Sequence, residues 1–568
     1  MISRFKRYFK NSPYKNRIRD IDPDEIFLDS QNLPHFDVNQ FEGRLEKSIS
    51  AKTFISFGIF CFLIFCLFFV RSFVLQAVHG GEYLEKSNSN MLRYTFLFPH
   101  RGVIYDRNNI KLAWNVAGSS TPEFSLRKYN DAPGSSDLIG YLKYPEKDSS
   151  GFYYNEDFIG EDGVEKFFNG TLSGINGLRI IETDANGNLQ SQSVVRPPVD
   201  GSNITLSIDS DIQTELFNAI KGLAGQVGFT GGAGVIMDVH TGEVIAVTSF
   251  PEYSSQILTD RKDTKAINQF LTDKSNPFLD RAVNGLYTPG SIVKPFMALA
   301  ALTEKVIDPS TKILSTGSIS LPNPYDPAHP SVFKDWRAQG WVDMRQALEV
   351  SSDVYFYEIG GGFENQKGLG ITMIDKYMSK FGFGNEMPEG FFNGSAGTIP
   401  TPQWKKENFN GEDWLIGDTY HTAIGQYGWQ VTPIQMVRAI ASIANNGKLM
   451  NPSIISGGDP NDFTELDTNK DYFQIVREGM HMSVQSGVAS GLNVSYMTLG
   501  AKTGTAQLGL HNQFLNSWVT GFFPYDKPKY AFAVVMERGP ATNTLGGVYV
   551  MRQVFDWMEA NKVDYLKD

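Results

Sequence analysis

The longest apolar segment of the chain lies near its N-terminus. Residues 53–70 form an uncharged run rich in Phe, Ile, Leu and Cys, and apolar residues resume at positions 74–78. A run of this length can cross the hydrocarbon core of a bilayer, and Arg71 can extend its guanidinium to the interface. The segment starts about fifty residues into the chain and no small-residue cleavage site follows it, which disfavours a cleaved signal peptide. We predict one uncleaved transmembrane helix over residues 53–78.

Basic residues before this segment set its predicted orientation. Residues 1–52 begin with a cluster of Lys and Arg and turn acidic around positions 20–25. Positive charge on one flank of a span places that flank in the cytoplasm. We expect a cytoplasmic arm over residues 1–52, a single-pass anchor in the plasma (inner) membrane, and an extracytoplasmic remainder.

The chain between residues 79 and 201 is polar, with clustered turn residues and short strand-like runs. Residues 99–109 read as a strand that ends in an Asn-Asn turn, and residues 163–168 read as a short helix. The region shows no grouping of chemically reactive side chains. We predict an N-terminal β-rich pedestal that acts as a spacer or docking module.

Regular periodicity begins near residue 202 and continues to the C-terminus. Apolar residues alternate through positions 204–208, Asp209 or Ser210 then caps an amphipathic helix, and a hairpin follows over residues 233–247. Helical patterns fill the middle of the region. Strand patterns and a closing helix return near its end, at positions around 502, 517–523, 530–537 and 548–561. This order predicts an α+β fold over residues 202–568, with an antiparallel sheet flanked by helices.

Composition excludes several classes of function. With 568 residues and 41% hydrophobic content, the chain can form two or more domains with sizeable cores. A net charge of -11, with no compact basic module beyond the N-terminal arm, argues against a nucleic-acid partner. Both cysteines, Cys61 and Cys66, lie in the predicted anchor, so no cysteine-based metal site is available elsewhere. We expect neither a metal nor a cofactor.

A candidate nucleophile and base, Ser291 and Lys294, follow a Pro-Gly breaker and precede the apolar run 296–302. The run reads as a buried helix that starts near Ser291, and residues i and i+3 of a helix share one face. A serine becomes a useful nucleophile when a neutral amine takes its proton. Because the pKa of a lysine exposed to water is about 10.4, burial and a second cation must lower it. The motif therefore predicts another lysine in the same site.

Two companion motifs follow in order. Ser351 and Asp353 come after a helical pattern over residues 344–350, and residues 502–505 (Lys-Thr-Gly-Thr) open a predicted strand. The ordered triple S-x-x-K, S-x-[ND] and K-T-G is the constellation of penicillin-recognising serine acyl transferases. The three motifs together are far more specific than any one of them.

The catalytic groups have distinct predicted roles. Ser291 attacks a carbonyl, and Lys294 takes its proton. Lys502 is the second cation, which helps to keep Lys294 deprotonated and can pair with an anionic substrate terminus. Ser351 is the candidate relay of a proton to the leaving amine, and Asp353 completes the second motif.

The residues after Lys502 form one predicted wall of the cleft. The hydroxyls of Thr503 and Thr505 can bind a substrate carboxylate, and Gly504, which lacks a Cβ, lets the strand backbone approach the substrate. The backbone N–H groups of Ser291 and Thr505 are the candidate oxyanion hole, where each donor contributes on the order of 3 kcal/mol.

The chain resembles the class B penicillin-binding proteins, which are membrane-anchored peptidoglycan D,D-transpeptidases, and most closely their elongation type, the penicillin-binding protein 2 group. An Asp at position 353, where division-type relatives usually carry Asn, favours the elongation type. The resemblance covers residues 99–568. Besides the three motifs, it rests on residues 101–107 (RGVIYDR), 281–282, 403–405 (QWK), 414–419 (WLIGDT) and 424–426 (IGQ).

The resemblance implies a penicillin-binding transpeptidase fold and a two-step reaction. A peptide stem ending in D-Ala-D-Ala acylates Ser291 and loses its terminal D-Ala, and an amine of a neighbouring stem then attacks the ester. It further implies inhibition by β-lactams and a membrane partner, a SEDS-family (RodA-like) glycan polymerase. A D,D-carboxypeptidase side activity is compatible with the same acyl-enzyme.

Two departures from the family pattern stand out. The usual Ile-Gly-Gln-Gly reads Ile-Gly-Gln-Tyr at residues 424–427. The family pedestal also carries a long insertion after its R-G-x-I-x-D-R strand, whereas this chain passes quickly from Trp114 to Arg127, with twelve residues between them. We therefore expect a shortened pedestal over residues 79–201.

Three alternatives remain open from the sequence. The first is a division-type transpeptidase. The second is a β-lactamase, because Glu389 and Asn393 form an E-x-x-x-N that resembles a deacylating motif. The third is a membrane β-lactam receptor or scaffold, although the N-terminal arm contains no recognisable signalling module. A long-lived penicillin adduct would exclude the second.

Overall fold

The computed structural model describes residues 50–84, 92–117, 123–130, 132–149, 151, 153–183, 189–323, 326 and 328–566. Most of the predicted cytoplasmic arm, residues 1–49, lies outside the described residues. The chain divides into two compact units, residues 1–91 and residues 92–568.

An apolar helix dominates the described part of the first unit. Helix α1, Ala51–Phe73, begins after Ser50, whose side chain accepts a hydrogen bond from the Thr53 N–H, and it continues into a π-helical turn, Val74–Val78. Its most apolar window has a mean hydropathy of 2.7 and is not buried. Within the described residues it is the one helix long and apolar enough to cross a membrane, and it coincides with the predicted anchor.

The second unit starts with a region of short strands, as predicted for a pedestal. Its strands are β1 Leu92–Leu97, β2 Ile104–Tyr105, β3 Lys111–Val116, β4 Leu126–Tyr129, β5 Leu142–Lys143, β6 Glu146–Lys147, β7 Tyr153–Asn155, β8 Ile159–Gly160, β9 Gly177–Thr183, β10 Leu189–Arg196 and β11 Ile204–Thr205. Its helices are α2 Ser136–Ile139, α3 Gly163–Phe167 and α4 Asn169–Ser173. The larger sheets have the orders β1-β9-β10 and β11-β2-β3-β4.

A buried ion triad holds the pedestal together. Glu165 is fully buried and accepts hydrogen bonds from Arg101 Nε at 2.6 Å and Arg127 Nε at 2.7 Å. Burial alone would raise the pKa of Glu165, but the two guanidinium groups outweigh it and hold the pKa below its usual value. Arg101 belongs to the R-G-x-I-x-D-R segment, so part of that motif serves the pedestal core.

The predicted domain boundary at residues 201/202 remains a prediction. Strand β11, on its C-terminal side, pairs in parallel with β2 of the pedestal, with Ile204 opposite Ile104. Residues 92–568 thus form one compact unit in which backbone pairing continues across the boundary.

The remainder of the chain is organised around five antiparallel strands in the order β13-β12-β22-β21-β20. Their bounds are β12 Gly231–Asp238, β13 Val244–Phe250, β20 Gly500–Leu508, β21 Phe514–Phe523 and β22 Tyr530–Pro540. The early hairpin and the late strands predicted from the sequence therefore join in one sheet, through the pairing of β12 with β22.

The sheet separates two hydrophobic cores because successive strand residues point to opposite faces. Val235 packs in the first core, together with helices α8 Lys294–Thr303 and α14 Pro433–Ala444, whereas the next residue, Ile236, packs in the second. The second core contains helices α5 Ser210–Val227 and α16 Gly547–Ala560. The predicted α+β class, with an antiparallel sheet flanked by helices, is confirmed.

The other helices and strands lie between the early hairpin and the late strands, apart from the sheet. The helices are α6 Ser255–Asp260, α7 Thr264–Thr272, α9 Met344–Glu349, α10 Asp353–Gly361, α11 Ile371–Lys380, α12 Pro402–Asn408, α13 Ile416–Ala423 and α15 Lys470–Gln485. The strands form pairs, β14 Ile313–Ser315 with β17 Gly340–Val342, β15 Ser318–Leu321 with β16 Ser331–Lys334, and β18 Lys448–Met450 with β19 Phe463–Glu465.

Candidate active site

Ser291 lies in a 3₁₀ turn, Gly290–Val293, that leads directly into helix α8. The α-helix itself begins at Lys294 rather than at Ser291. Pro295 occupies its first turn, as predicted, where a missing N–H leaves no hydrogen bond unmade. Gly290 has a φ of +59° and donates its N–H to Gly425 O at 2.9 Å, so contact with the 425 loop bends the chain before the helix starts.

Lys294 is fully buried and its amine has three partners. Nζ donates to Ser351 O at 2.8 Å, to Ser351 Oγ at 3.3 Å and to Asp353 Oδ1 at 2.6 Å. These contacts tie the first motif to the second, across 57 to 59 residues of chain. Ser291 Oγ is not among the hydrogen-bond partners of this amine in the described structure.

Lys502 reaches the same serine from strand β20. Its Nζ lies 2.8 Å from Ser351 Oγ and donates to Thr503 O at 3.1 Å, and the side chain is fully buried. Burial lowers the pKa of Lys502 well below its usual value, the positive charge of Lys294 lowers it further, and Asp353 opposes the shift. Ser351 Oγ is therefore the point at which the two lysines meet.

We predicted that Lys502 keeps Lys294 neutral, and that role stays a prediction. The structure adds a contact that the sequence did not reveal, an ion pair between the carboxylate of Asp353 and the amine of Lys294. The reason is geometric, because Asp353 begins helix α10 with its side chain on the Lys294 side of Ser351.

Ser351 occupies a tight loop between helices α9 and α10 and adopts a φ of +58°. This left-handed conformation is costly for a residue with a Cβ, by about 1–2 kcal/mol. Ser352 then caps helix α10 by accepting a hydrogen bond from the Tyr355 N–H. The loop places the Ser351 side chain between the two lysines, as its predicted relay role requires.

Gly504 is required for a different reason from the one we predicted. A Cβ at this position would lie 2.5 Å from Pro289 O and 3.0 Å from Ile292 Cγ2, so the glycine lets β20 pack against the turn that carries Ser291. Thr503 and Thr505, on either side of it, both line the cleft. Gly504 thus allows β20 to pack against the 3₁₀ turn that carries Ser291, whereas Thr503 and Thr505 line the cleft.

Gly504→Ala is expected to lower the rate of acylation at Ser291 on the order of 10²-fold, because displacing a reacting group by about 1 Å can have that effect. Second-order rates with a fluorescent penicillin measure the loss. Gly222→Ala is the matched control, since this glycine lies in helix α5 with nothing within 4 Å of an added Cβ. An unchanged rate in Gly504→Ala would contradict the packing argument.

The motif residues open into one cleft of about 890 Å³. Ser291, Ser351 and Asp353 line it together with Thr503 and Thr505. Other residues that no sequence motif pointed to also line the cleft. They are Asp335, Trp336, Tyr357, His421, Gln507 and Asn512. Gln426, which the family resemblance included, lines the cleft and lies with its Nε2 3.4 Å from Thr505 O.

Position 427, where the family usually has glycine, is a tyrosine with a φ of +63°. Its ring packs edge-on against Trp404 at 5.7 Å and Trp414 at 5.8 Å, and stacks with Phe409 at 5.8 Å. These ring contacts offset the strain of the left-handed backbone. Tyr427 is thus held by aromatic contacts two residues after Gly425, whose carbonyl oxygen accepts the Gly290 N–H.

Glu389, the residue that suggested a β-lactamase, is not among the described residues that line the cleft. Its loop faces the pedestal instead, where Phe391 packs edge-on against Phe167 with ring centroids 5.7 Å apart. A deacylating carboxylate must reach a water beside the acyl ester. The structure therefore gives Glu389 no such position.

Comparison with known proteins agrees with this geometry. Residues 232–555 match the family described as penicillin binding protein transpeptidase domain, and residues 116–206 match the penicillin-binding protein dimerisation domain. The first match covers more than half of the chain and contains all three motifs. The second lies in the region predicted as the pedestal.

Individual proteins match over nearly the whole chain. Peptidoglycan D,D-transpeptidase MrdA of Haemophilus influenzae is 26% identical, over 90% of this chain and 92% of that protein. MrdA of Acinetobacter baumannii is 28% identical, over 94% and 90% respectively. In the solved complex of penicillin-binding protein 2 with MreC from Helicobacter pylori, the matching chain is 26% identical with a TM-score of 0.67, over 83% of this chain and 99% of that one.

The predicted fold, a transpeptidase domain on an N-terminal pedestal with one apolar N-terminal helix, is confirmed by these matches and by the described structure. The contacts of Ser351 join motifs that lie far apart in sequence, and the family match spans all of them. The chain belongs to the penicillin-binding protein transpeptidase family.

Proposed function

We propose that this protein is a peptidoglycan D,D-transpeptidase of the elongation type, which cross-links peptide stems through an acyl-enzyme on Ser291. One observation carries the proposal. Ser351 Oγ lies within 3.3 Å of Lys294 Nζ and 2.8 Å of Lys502 Nζ in the cleft that Ser291 lines. The relatives that match along most of their length are named MrdA, which favours the elongation type over the division type.

Acylation needs an amine that can take the Ser291 proton. Because Ser351 Oγ contacts both lysines, a proton can pass between Lys294 and Lys502 through the serine hydroxyl. When the proton is on Lys502, Lys294 is free to accept the proton of Ser291 Oγ. Burial and the positive charge of Lys294 both lower the pKa of Lys502, so a proton that reaches Lys502 is readily passed back through Ser351.

The proposed reaction has two steps. Ser291 Oγ bonds to the carbonyl carbon of the penultimate D-Ala, the bond to the terminal D-Ala nitrogen breaks, and the serine proton leaves on that amine. In the second step an acceptor amine bonds to the same carbon, the Ser291 ester breaks, and the proton of the acceptor returns to Ser291 Oγ. Ser351 is positioned to relay both protons.

Four further groups, two backbone N–H groups and two hydroxyls, complete the proposed site. The backbone N–H groups of Ser291 and Thr505 form the oxyanion hole, and strand β20 runs close enough to the 3₁₀ turn that a Cβ at Gly290 would lie 2.8 Å from Thr505 O. The hydroxyls of Thr503 and Thr505 hold the terminal carboxylate of the donor stem.

The proposal extends to location and partners. Helix α1 anchors the protein in the plasma membrane with its N-terminus in the cytoplasm, and the catalytic unit meets stems outside. A SEDS-family glycan polymerase is the proposed membrane partner. This rests on family resemblance, and the Helicobacter pylori relative shows that a protein of this fold forms a complex with MreC.

Mass spectrometry of the full-length protein tests this function. With a D-Ala-D-Ala stem as donor and a second stem as acceptor, we expect released D-Ala and a cross-linked dimer in equal amounts. With penicillin, we expect one stable adduct on the peptide that contains Ser291. Release of D-Ala without dimer would indicate a carboxypeptidase, and rapid loss of the adduct would indicate a β-lactamase.

A further inference from the structure

The loop that carries Ser351 is held from both sides by two neighbouring residues of another segment, Asp335 and Trp336. Asp335 directly follows strand β16, and both residues line the cleft. Neither belongs to any of the three motifs. From their contacts we propose that Asp335 and Trp336 form a clamp, the 335–336 clamp, that positions the Ser351 hydroxyl between the two lysines.

Asp335 holds the chain on the C-terminal side of Ser351. Its Oδ2 accepts hydrogen bonds from Ser352 Oγ at 2.7 Å and from Val354 N at 3.2 Å. The same oxygen accepts a hydrogen bond from Ser315 Oγ at 3.0 Å, which ties it to strand β14. The residue is only 7% exposed, so these bonds form away from bulk water, where an unmet partner is costly.

The carboxylate of Asp335 is stabilised without a cation. Among the residues that the structure describes, no lysine or arginine nitrogen lies within ion-pair distance of it. Its charge is balanced by hydroxyls and by the first turn of helix α10, whose N–H groups favour a negative group. An ion pair is therefore not its function, and its hydrogen bonds all serve to fix local backbone and side-chain positions.

Trp336 holds the chain on the N-terminal side of Ser351. Its indole Nε1 donates to Val350 O at 3.1 Å, although the ring itself remains 54% exposed at the cleft. The guanidinium of Arg337 lies 4.4 Å from the centre of this ring and helps to orient it. Residues 350 and 352 are thus both bonded to the same short segment.

A clamp is needed at this point because Ser351 has a φ of +58°. A non-glycine residue relaxes from this region unless its surroundings hold it there. Relaxation would swing Ser351 Oγ away from Lys502 and move Ser351 O, which accepts from Lys294. Among the described residues, the charged or titratable groups nearest the loop include these two lysines, Asp353 and Asp335. They also include Glu349 directly before the loop, Arg337 beside Trp336 and His421 in the same cleft.

The clamp residues act through Ser351 and are positioning residues for the proposed reaction, on which this inference rests. Their test uses the full-length protein and a fluorescent penicillin. The acylation rate constant, the amplitude of labelling and the pH dependence of the rate constant are measured separately. Asp335→Asn is expected to lower the acylation rate constant at least tenfold, while the amplitude shows that the protein remains folded. Trp336→Phe is expected to lower it a few-fold.

The pH profile separates positioning from a general loss of structure. Trp336→Phe changes no charge, so a shift in the acid limb of its profile can come only from movement of the Ser351 hydroxyl relative to the two amines. We expect that shift in both variants. A rate constant equal to that of the wild type in both, or a rate lowered equally at every pH, would overturn the proposal.

Asp106→Asn is the matched control for Asp335→Asn. Asp106 is also a buried aspartate that accepts a hydrogen bond from a serine, Ser210 Oγ at 2.7 Å, but it directly follows strand β2 of the pedestal and is not among the described residues that line the cleft. Asp106→Asn is expected to lower the melting temperature of the protein and to leave the acylation rate constant unchanged. If Asp335→Asn does not fold, Trp336→Phe decides the matter alone.

Failure of the clamp and failure of the proposed function give different results. If the clamp is wrong, both variants still acylate at Ser291, with either the wild-type rate constant or one that is lowered equally at every pH. If the function is wrong, penicillin does not label Ser291 in the wild-type protein either.

Discussion

Ser291→Ala is expected to abolish covalent labelling by a fluorescent penicillin and to fail to support growth in cells that depend on this protein. The hydroxyl is the only group of this side chain that can form the proposed ester. The two lysines proposed to handle its proton both contact Ser351, which lines the same cleft. Gel fluorescence of the purified protein and complementation of a depleted strain measure the two effects.

Ser490→Ala is a suitable control for this experiment. Ser490 also lies in a short 3₁₀ turn, Ser490–Leu492, and is exposed but does not line the cleft. It should label normally and support growth. Normal labelling of Ser291→Ala would show that the nucleophile is another serine, and growth without labelling would support the scaffold alternative.

Replacement of Lys502 should have the second-largest effect. Lys502→Met keeps the buried volume but removes the amine that contacts Ser351 Oγ, and the acylation rate is expected to fall about 10²–10⁴-fold, the range of one proton-transfer group. Lys502→Arg should not restore it. A guanidinium keeps the positive charge, but it does not release a proton at accessible pH.

The pH dependence follows from the lowered pKa of Lys502. Acylation is expected to be constant above that pKa and to fall as pH drops through it, because a protonated Lys502 can no longer take up a proton passed to it through Ser351. Asp353 opposes the lowering of this pKa, so Asp353→Asn should move the acid limb of the pH profile to lower pH.

Full activity in Lys502→Arg would contradict the role of Lys502 in proton transfer. It would mean that acylation needs only a positive charge at position 502.

Some features of the protein follow directly from local sequence. The uncharged run at residues 53–70 can satisfy its backbone in lipid only as a helix, and the described helix is there. Apolar periodicity and capping residues predicted helix α5 after Asp209 or Ser210, and the helix begins after Asp209. Such signals depend on neighbours within a few residues, which the sequence displays.

The motif residues could also be identified, because their types and order carry chemical meaning. Ser291, Ser351 and the 502–505 segment do line one cleft. Their assigned roles remain predictions. The family resemblance supplied the fold and activity, and the comparisons support both.

Only the tertiary structure decided how charge and position are shared among these residues. Nothing in the local sequence tells that Asp353 pairs with Lys294, or that Gly504 faces Pro289 rather than substrate. The pairing of Asp335 with Ser352, 17 residues apart, depends on how a hairpin folds over a helix start. The sequence by itself identified the candidate groups for the chemistry, because that identification depends on residue type and order. Their distances and pKa values depend on burial and on contacts between distant segments, which exist only once the chain has folded.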